Sequence, residues 1–290
     1  MDETLTPLRR RVRAGHLELA TREWPGDQRP FLLLHGLASN ASTWDLVAAI
    51  LNSRGHHVIA YDQRGHGLSD KPAAGYDFEQ VSADLRALID SLGLVTPIVA
   101  GQSWGGNVAV DFAARYPGVA AGIVLVDGGF IDLSSRPGST WESIASDLRP
   151  PNLAGTARVD LKRRLGGFHP RWSDRQLEMQ LGNFETLPDG SVRPWLTLER
   201  HMLVLRALWD QKPSALYERV RTPVLIAMAG SGDSERRRRR EQEVSRAVSK
   251  LERAEVMLFD GADHDIHVDQ PEELASWILK CVDKGFFVRA

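Results

Sequence analysis

The sequence predicts an α/β fold, with a mostly parallel sheet of eight strands and helices on both of its faces. Along most of the 290 residues, short apolar runs alternate with stretches in which apolar residues recur at helical spacing. This alternation is typical of parallel strands buried between helices. Residues 128–220 break it with prolines, a Gly-Gly pair and short helical stretches. We therefore expect a core domain of residues 1–127 and 221–290, with a helical cap of residues 128–220 inserted after the sixth strand.

The individual strands are predicted from apolar runs bounded by turn residues. In chain order they lie near residues 11–13, 17–24, 31–34, 58–61, 98–101, 122–126, 224–228 and 255–259. Amphipathic spacing predicts the clearest helices over residues 44–53, 78–92, 108–116, 234–248 and 271–282. Inside the cap, helical stretches fall between prolines and glycines, near residues 140–148, 158–165, 173–181 and 196–209.

Composition and charge favour an enzyme with a large apolar core and argue against several other classes. Hydrophobic residues make up 42% of the chain, yet no apolar run approaches the length of a membrane span. The formal net charge of −2 gives no general attraction to nucleic acid or anionic lipid. Residues 1–13 do not resemble a secretory signal, and the single Cys281 cannot form an intrachain disulfide. We expect a cytoplasmic monomer or homodimer with no nucleic-acid or membrane partner.

Ser103 lies in the most informative stretch of the chain, Gly101-Gln102-Ser103-Trp104-Gly105, between a predicted strand and a predicted helix. Glycines on both sides let the backbone turn sharply, since a side chain at either position would collide with the neighbouring element. The serine hydroxyl would then be exposed on a strained turn, beside the positive end of the helix. The pattern predicts Ser103 as a nucleophile.

Two further strand ends supply the partners that a serine nucleophile needs. Serine is a poor nucleophile at neutral pH, so an imidazole must take its proton and a carboxylate must hold that imidazole in the right tautomer. Asp233 follows the seventh predicted strand and is the predicted acid, while His264 follows the eighth and is the predicted base. Asp127, at the end of the sixth strand, remains an alternative acid, and His267 remains an alternative base.

A third strand end is expected to stabilise negative charge on the substrate. The apolar run at residues 31–34 ends in His35-Gly36-Leu37-Ala38, where the glycine lets a backbone N–H turn toward a pocket. We expect the backbone N–H groups of Leu37 and Trp104 to form an oxyanion hole. His35 is expected to organise this loop through hydrogen bonds rather than to carry a proton.

Two longer stretches resemble the α/β-hydrolase superfamily. Residues 61–70, Tyr-Asp-Gln-Arg-Gly-His-Gly-Leu-Ser-Asp, are similar to the loop after the fourth strand in its esterase, dehalogenase, epoxide hydrolase and C–C hydrolase branch. Residues 261–274 are similar to that branch's histidine loop and the helix after it. The chain order Ser, Asp, His also fits the superfamily. The resemblance covers residues 11–127 and 220–285.

The resemblance implies a serine hydrolase of the α/β-hydrolase fold that cleaves a small carboxylic ester or lactone. Ser103 would form the acyl-enzyme, His264 would move the protons and Asp233 would orient His264. No cofactor and no metal are implied. The alternative is a C–C bond hydrolase of ring-cleavage products, which uses the same triad on a vinylogous diketone. In that case Arg200 or Arg206 of the cap is a candidate to hold the substrate's carboxylate.

Two alternatives belong to other classes. One is a receptor or a silent binding module on a hydrolase fold. The other is a metallohydrolase, because side chains able to bind a metal cluster at Asp263, His264, Asp265, His267 and Asp269. Asp263 also departs from the superfamily pattern, which usually has glycine there, and a carboxylate at this position is expected to raise the pKa of His264.

The cap carries four tryptophans, Trp141, Trp172, Trp195 and Trp209. Trp141 and Trp209 are the predicted substrate contacts, because they lie near the two ends of the cap. The arginine run at residues 236–240 is expected to form a solvated helix surface, since neighbouring glutamates flank it. Side chains of the 61–70 loop that look reactive are expected to support that loop instead; these are Asp62, Arg64 and Asp70.

Overall fold

The computed structural model describes residues 6–288, which contain ten strands. They are β1 (Leu8–Ala14), β2 (Leu17–Trp24), β3 (Gln28–Leu34), β4 (His56–Tyr61), β5 (Ile98–Gln102), β6 (Gly122–Val126), β7 (Phe184–Thr186), β8 (Val192–Pro194), β9 (Val224–Ala229) and β10 (Ala254–Phe259). Eight of them form one sheet in the order β1-β2-β4-β3-β5-β6-β9-β10. β2 is antiparallel to both of its neighbours, and the other neighbouring pairs are parallel. The predicted fold class is confirmed.

The helices of the described residues are α1 (Asp45–Ser53), α2 (Phe78–Ser91), α3 (Trp104–Arg115), α4 (Trp141–Asp147), α5 (Arg158–Phe168), α6 (Asp174–Leu181), α7 (Leu198–Asp210), α8 (Ser234–Val248), α9 (Ile266–Asp269) and α10 (Pro271–Asp283). Within residues 6–288, none of them combines the length and the apolar character needed to cross a bilayer. Several begin at a side chain that accepts a hydrogen bond from the first turn, which satisfies a donor that the helix leaves free. These residues are Asp77, Thr140, Ser173, Thr197 and Asp233.

Helices cover both faces of the sheet, and β3 shows how the sequence specifies this. Leu32 and Leu34 belong to one buried apolar cluster, which also contains residues of α2, α3 and α8. Phe31 and Leu33 belong to a second cluster, which contains residues of α1 and α10. Successive residues of a strand point to opposite faces, so a continuous apolar run is what a strand covered on both faces requires.

The segment between β6 and β9 contains the four helices that the sequence predicts there, α4 to α7, and a β-hairpin that the sequence analysis missed. We call residues 128–220 the inserted segment. Each hairpin strand has three residues, which is too short for the alternation of a strand to be recognised. The inserted segment is bonded to the sheet domain at several points. Asn40 Nδ2 donates to the carbonyl of Met179 at 3.0 Å, and Trp172 Nε1 donates to Asp269 at 2.6 Å.

Candidate active site

Ser103 lies on a sharp turn between the last residue of β5 and the first residue of α3. Its φ is +53° with ψ −120°, a conformation that L side chains rarely adopt, and its N–H donates to the carbonyl of Val126 at 2.9 Å. The flanking glycines are required, because a Cβ on Gly101 would overlap the carbonyl of Gly105. A Cβ on Gly105 would lie 2.6 Å from the carbonyl oxygen of His35. Packing on both sides therefore holds the turn in this strained conformation.

His264 lies in the loop after β10 and connects Ser103 to a carboxylate. Its Nε2 lies 2.8 Å from Ser103 Oγ, and its Nδ1 lies 2.7 Å from Asp127 Oδ2. With Nδ1 protonated and donating to the carboxylate, Nε2 is free to accept the serine hydroxyl proton. The His264 side chain is half exposed, whereas the Asp127 side chain is only 3% exposed. Hydrogen bonds therefore connect the buried carboxylate of Asp127, through the half-exposed imidazole of His264, to the hydroxyl of Ser103.

Asp127 is held from several sides at the end of β6. Its φ is +41°, and its N–H donates to the carbonyl of Ala227 at 2.8 Å. Its Oδ1 accepts the N–H of Ala229 at 3.1 Å and lies 3.0 Å from Nε of Arg240. Oδ2 is thereby left for His264. The alternative acid of the sequence analysis is thus the carboxylate that the structure brings to the imidazole.

Asp233, the acid that the sequence analysis preferred, lies elsewhere, and that prediction is corrected. Its carboxylate accepts the N–H of Arg236 at 2.8 Å and so caps the start of α8. The side chain is 63% exposed, and the capping hydrogen bond lowers the pKa of Asp233 below its usual range. A carboxylate committed to the first turn of α8 orients no imidazole. The predicted helix at residues 234–248 already carried this signal, since aspartate immediately before a helix is a preferred N-cap.

The pKa of His264 is raised above its usual 6.5. Desolvation by the surrounding protein lowers it, but the hydrogen bond to Asp127 and the charges of Asp127 and Asp265 outweigh that effect. Asp263, the residue that departs from the superfamily pattern, instead accepts a hydrogen bond from Ser231 Oγ. The nearby carboxylate on the same loop that raises the pKa is therefore Asp265.

Gln102, immediately before the nucleophile, fixes the position of the histidine loop. Its Nε2 donates to the carbonyl of His264 at 3.2 Å and to Asp265 Oδ1 at 3.1 Å. Burial raises the pKa of Asp265, although the charge on His264 opposes this. Gln102 was assigned no role from the sequence, and Asp265 was considered only as a metal ligand. Their place beside the two catalytic candidates in the sequence was the available signal, but sequence does not show where a side chain points.

The loop expected to form the oxyanion hole is shaped by two buried histidines. His35 Nδ1 donates to the carbonyl of Gly36 at 2.8 Å, and His66 Nε2 accepts the N–H of Ala38 at 3.3 Å. Burial lowers the pKa of His35 to about 4 and that of His66 to about 3, so both rings are neutral at pH 7. Leu37 lies between these two anchors, and Trp104 is the first residue of α3, where backbone N–H groups have no partner inside the helix.

The side chains of the 61–70 loop make structural contacts. Asp62 accepts the N–H groups of Ala41 and Leu68, both at 2.8 Å. Arg64 forms a buried ion pair with Asp84 through two nitrogens. Asp70 accepts from Arg11 and from the N–H of Glu18. These contacts tie the loop to β2 and α2, as expected for residues that support the site without taking part in its chemistry.

The residues behind the metallohydrolase alternative make other contacts. Among residues 6–288, no group of three or more His, Cys, Asp or Glu side chains is arranged to hold a metal ion. Asp269 accepts a hydrogen bond from Trp172. His267 is buried with its ring 4.6 Å from that of Trp44, and burial lowers its pKa to about 3. His267 contacts neither Ser103 nor a carboxylate among the described hydrogen bonds, so the structure brings His264, and not His267, to the serine.

Trp141 and Trp209 of the inserted segment, the predicted substrate contacts, lie close to each other. The rings of Trp141 and Trp209 are 6.3 Å apart, and both residues pack, with Leu37, against the same apolar cluster. Arg200 and Arg206, the two arginines considered for binding a substrate carboxylate, both make contacts within the protein. Arg200 donates to the carbonyls of residues 71 and 72, and the guanidinium of Arg206 lies 5.0 Å from the ring centroid of Trp141.

Comparison with known proteins identifies the family and agrees with the fold. The sequence model of the alpha/beta hydrolase family matches residues 31–277. A 2-(acetamidomethylene)succinate hydrolase of Mesorhizobium japonicum is 28% identical over 281 residues, covering 94% of this chain and 95% of its own. The crystal structure of an E-2-(acetamidomethylene)succinate hydrolase superposes with a TM-score of 0.78 at 26% identity, covering 96% and 99%. An N-formylmaleamic acid deformylase of Pseudomonas putida S16 has the same fold, with a TM-score of 0.74 at 20% identity and coverage of 93% and 100%.

Proposed function

Since the chain belongs to the alpha/beta hydrolase family, we propose that it is a serine hydrolase whose nucleophile is Ser103. The observation that carries the proposal is the unbroken chain of hydrogen bonds from Asp127 through His264 to Ser103, with donor–acceptor distances of 2.7 and 2.8 Å. Such a chain activates a hydroxyl by giving its proton a base of fixed tautomer and orientation.

The reaction proceeds in two halves. Ser103 Oγ attacks the substrate carbonyl carbon while its proton moves to His264 Nε2, and the N–H groups of Leu37 and Trp104 stabilise the oxyanion. When the tetrahedral intermediate collapses, the bond to the leaving group breaks and His264 returns the proton to that group. Water then attacks the acyl-enzyme with His264 as base, which releases the acid and restores the serine. Asp127 stabilises the imidazolium formed in both halves.

We propose that the bond cleaved joins an acyl group to a conjugated, carboxylate-bearing fragment. This choice rests on the relative that spans almost the whole chain, whose name describes a succinate bearing an acetamidomethylene group. Ring-cleavage products with a vinylogous diketone belong to the same broad class, because their leaving group also delocalises its charge. The proposal therefore favours the alternative named from the sequence, a hydrolase of vinylogous diketones and related conjugated acids, over a hydrolase of simple carboxylic esters.

A small ester or lactone is the second candidate. The aromatic pair Trp141 and Trp209 of the inserted segment favours it, because aromatic side chains offer an acyl chain an apolar surface. Ester alcohols and conjugated fragments require the same three catalytic groups. The two candidates therefore differ in what the inserted segment accepts, and substrate ranking separates them.

The test is a direct comparison of substrates on one enzyme preparation. We expect kcat/KM to be highest for 2-(acetamidomethylene)succinate or a vinylogous diketone acid, and lower for p-nitrophenyl esters of increasing acyl length. The reverse ranking would assign the protein to the ester hydrolases. Ser103→Ala should abolish turnover of every substrate while the melting temperature stays unchanged. Turnover that survives in this variant would overturn the serine mechanism itself.

A further inference from the structure

Arg240 contacts the carboxylate that orients the catalytic imidazole. It is the last residue of the arginine run at residues 236–240 and lies on α8. Its Nε lies 3.0 Å from Asp127 Oδ1, on the opposite side of the carboxylate from His264. Its Nη1 donates to the carbonyls of Ala229 at 2.6 Å and Ser231 at 3.2 Å. One guanidinium therefore joins α8, the end of β9 and the acid at the end of β6.

Arg240 faces the protein, unlike the exposed first residues of the run. Its side chain is 18% exposed, whereas those of Arg236 and Arg237 are 70% and 44% exposed. It precedes the buried residues Val244 and Ala247 by four and seven positions, so all three share one helix face. The expectation of a solvated surface therefore fails at Arg240.

We propose that Arg240 is a positioning residue of the catalytic triad, which holds Asp127 in place and balances its charge. This inference rests on the proposed serine mechanism, because it assigns Arg240 a role through Asp127 and His264. The guanidinium suits the task, since its planar fork reaches the carboxylate and two backbone carbonyls at once. Asp233, which caps the start of the same helix, contributes by placing α8 so that Arg240 reaches the site.

The charge of Arg240 also has a predictable effect on His264. The charged and titratable groups that face His264 are Asp127 immediately after β6, Arg240 on α8, Asp265 on its own loop and His267 on α9. Asp127 and Asp265 raise the pKa of His264, and Arg240 lowers it. Removing the guanidinium leaves the carboxylates unopposed, so the pKa of His264 should rise further.

Two variants and a matched control test the inference. Arg240→Gln removes the charge, Arg240→Lys restores it without the fork, and Arg238→Gln changes an exposed arginine of the same helix. The pKa of His264 is measured by NMR of protein labelled with ¹⁵N-histidine, with a His264→Gln variant for assignment. The rate at which a fluorophosphonate labels Ser103 is measured across about pH 5 to 9, the range in which histidine titrates. Melting temperatures show whether each variant folds.

We expect Arg240→Gln to raise the pKa of His264 by about one pH unit, since the guanidinium and the imidazole contact the two oxygens of one carboxylate and their charges interact through an effective dielectric of about 20 with partial screening. The plateau labelling rate should fall roughly tenfold to a hundredfold, because Asp127 is held less firmly. Arg240→Lys should return the pKa toward the wild-type value while restoring only part of the rate. Arg238→Gln should behave as wild type.

Several results would overturn the inference. An unchanged or lowered pKa of His264 in Arg240→Gln would do so, as would the same shift in Arg238→Gln or a lysine variant indistinguishable from the glutamine variant. The NMR comparison needs no turnover. If the wild type fails to be labelled at Ser103, the proposed function fails, while the pKa comparison still decides the role of Arg240.

Discussion

Asp127 and His264, 137 positions apart in the chain, meet at 2.7 Å between a carboxylate oxygen and the imidazole Nδ1. The carboxylate is almost fully buried and the imidazole side chain is half exposed. This contact fixes which ring nitrogen carries the proton and leaves the other nitrogen beside Ser103. The catalytic account depends on it.

Asparagine at the two candidate acids should have very different effects on turnover. Asp127→Asn replaces the acceptor of the His264 Nδ1 proton, and we expect kcat to fall by about four orders of magnitude, as expected for loss of the correct tautomer. Asp233→Asn should leave kcat and the melting temperature nearly unchanged, because asparagine caps helices as well as aspartate does. Steady-state kinetics at equal folded fraction measure both. A larger loss of kcat in the Asp233 variant would identify Asp233, which follows β9, as the acid.

The rate of acylation should depend on pH through His264. The base must be neutral to accept the serine proton, and its pKa is raised above 6.5. Activity should therefore decrease as the pH falls through a midpoint above 6.5, rather than through the lower pKa of a desolvated histidine. The measurement is kcat/KM against pH with a substrate that does not titrate in this range. A midpoint below 6.5 would mean that Asp127 does not raise the pKa of His264.

Replacing two glycines by alanine tests whether close packing, rather than helix propensity alone, determines the stability of the turn at Ser103. Gly105→Ala places a Cβ 2.6 Å from two backbone carbonyl oxygens, and overpacking of this kind costs about 1 to 3 kcal/mol. Gly167→Ala adds a Cβ in α5 with no atom within 4 Å, so it should gain about 0.5 to 1 kcal/mol of helix stability. Denaturant unfolding measures both free energies of unfolding. Equal effects at the two sites would mean that the turn is not tightly packed.

Alanine at Trp141 and Trp209, the two proposed substrate contacts, should change which substrates are accepted. Trp141→Ala and Trp209→Ala each remove an aromatic side chain of the inserted segment, and apolar contacts with a substrate discriminate by about 1 to 3 kcal/mol per methylene. We expect the ranking of short, long and aromatic acyl groups to change while turnover of the smallest substrate is kept. Trp172→Ala is the control, because its indole is bonded to Asp269. A uniform loss in all three variants, following the melting temperature, would show that the tryptophans only pack the segment.

The sequence was sufficient for the centre of the sheet because β3, β5, β6 and β9 each contain a continuous apolar run, which few other structures accommodate. All eight sheet strands overlap their predicted positions, and α8 begins and ends at the predicted residues. Ser103 and His264 were recognisable because each follows a strand in a pattern that restricts the backbone. The β7–β8 hairpin was not, since strands of three residues leave no periodicity to detect.

The acid was harder to predict, because both candidate aspartates follow parallel strands and such strand ends lie along one edge of the sheet. Local chemistry distinguishes them. Asp233 precedes a helix and is used as its cap, while Asp127 adopts a positive φ that directs it toward His264. Arg240 was recognisable in principle, since it lies four and seven residues before Val244 and Ala247 on the buried face of α8. The contact that it makes depends on tertiary packing.

The most direct test of the catalytic account is the site and rate of labelling by a fluorophosphonate, followed by intact-protein and peptide mass spectrometry. The account predicts one adduct, on Ser103, formed rapidly by the wild type and by Asp233→Asn. It predicts labelling slower by orders of magnitude in Asp127→Asn and none at this site in Ser103→Ala. An unlabelled wild type, or an adduct that forms as fast in Asp127→Asn as in the wild type, would contradict the account.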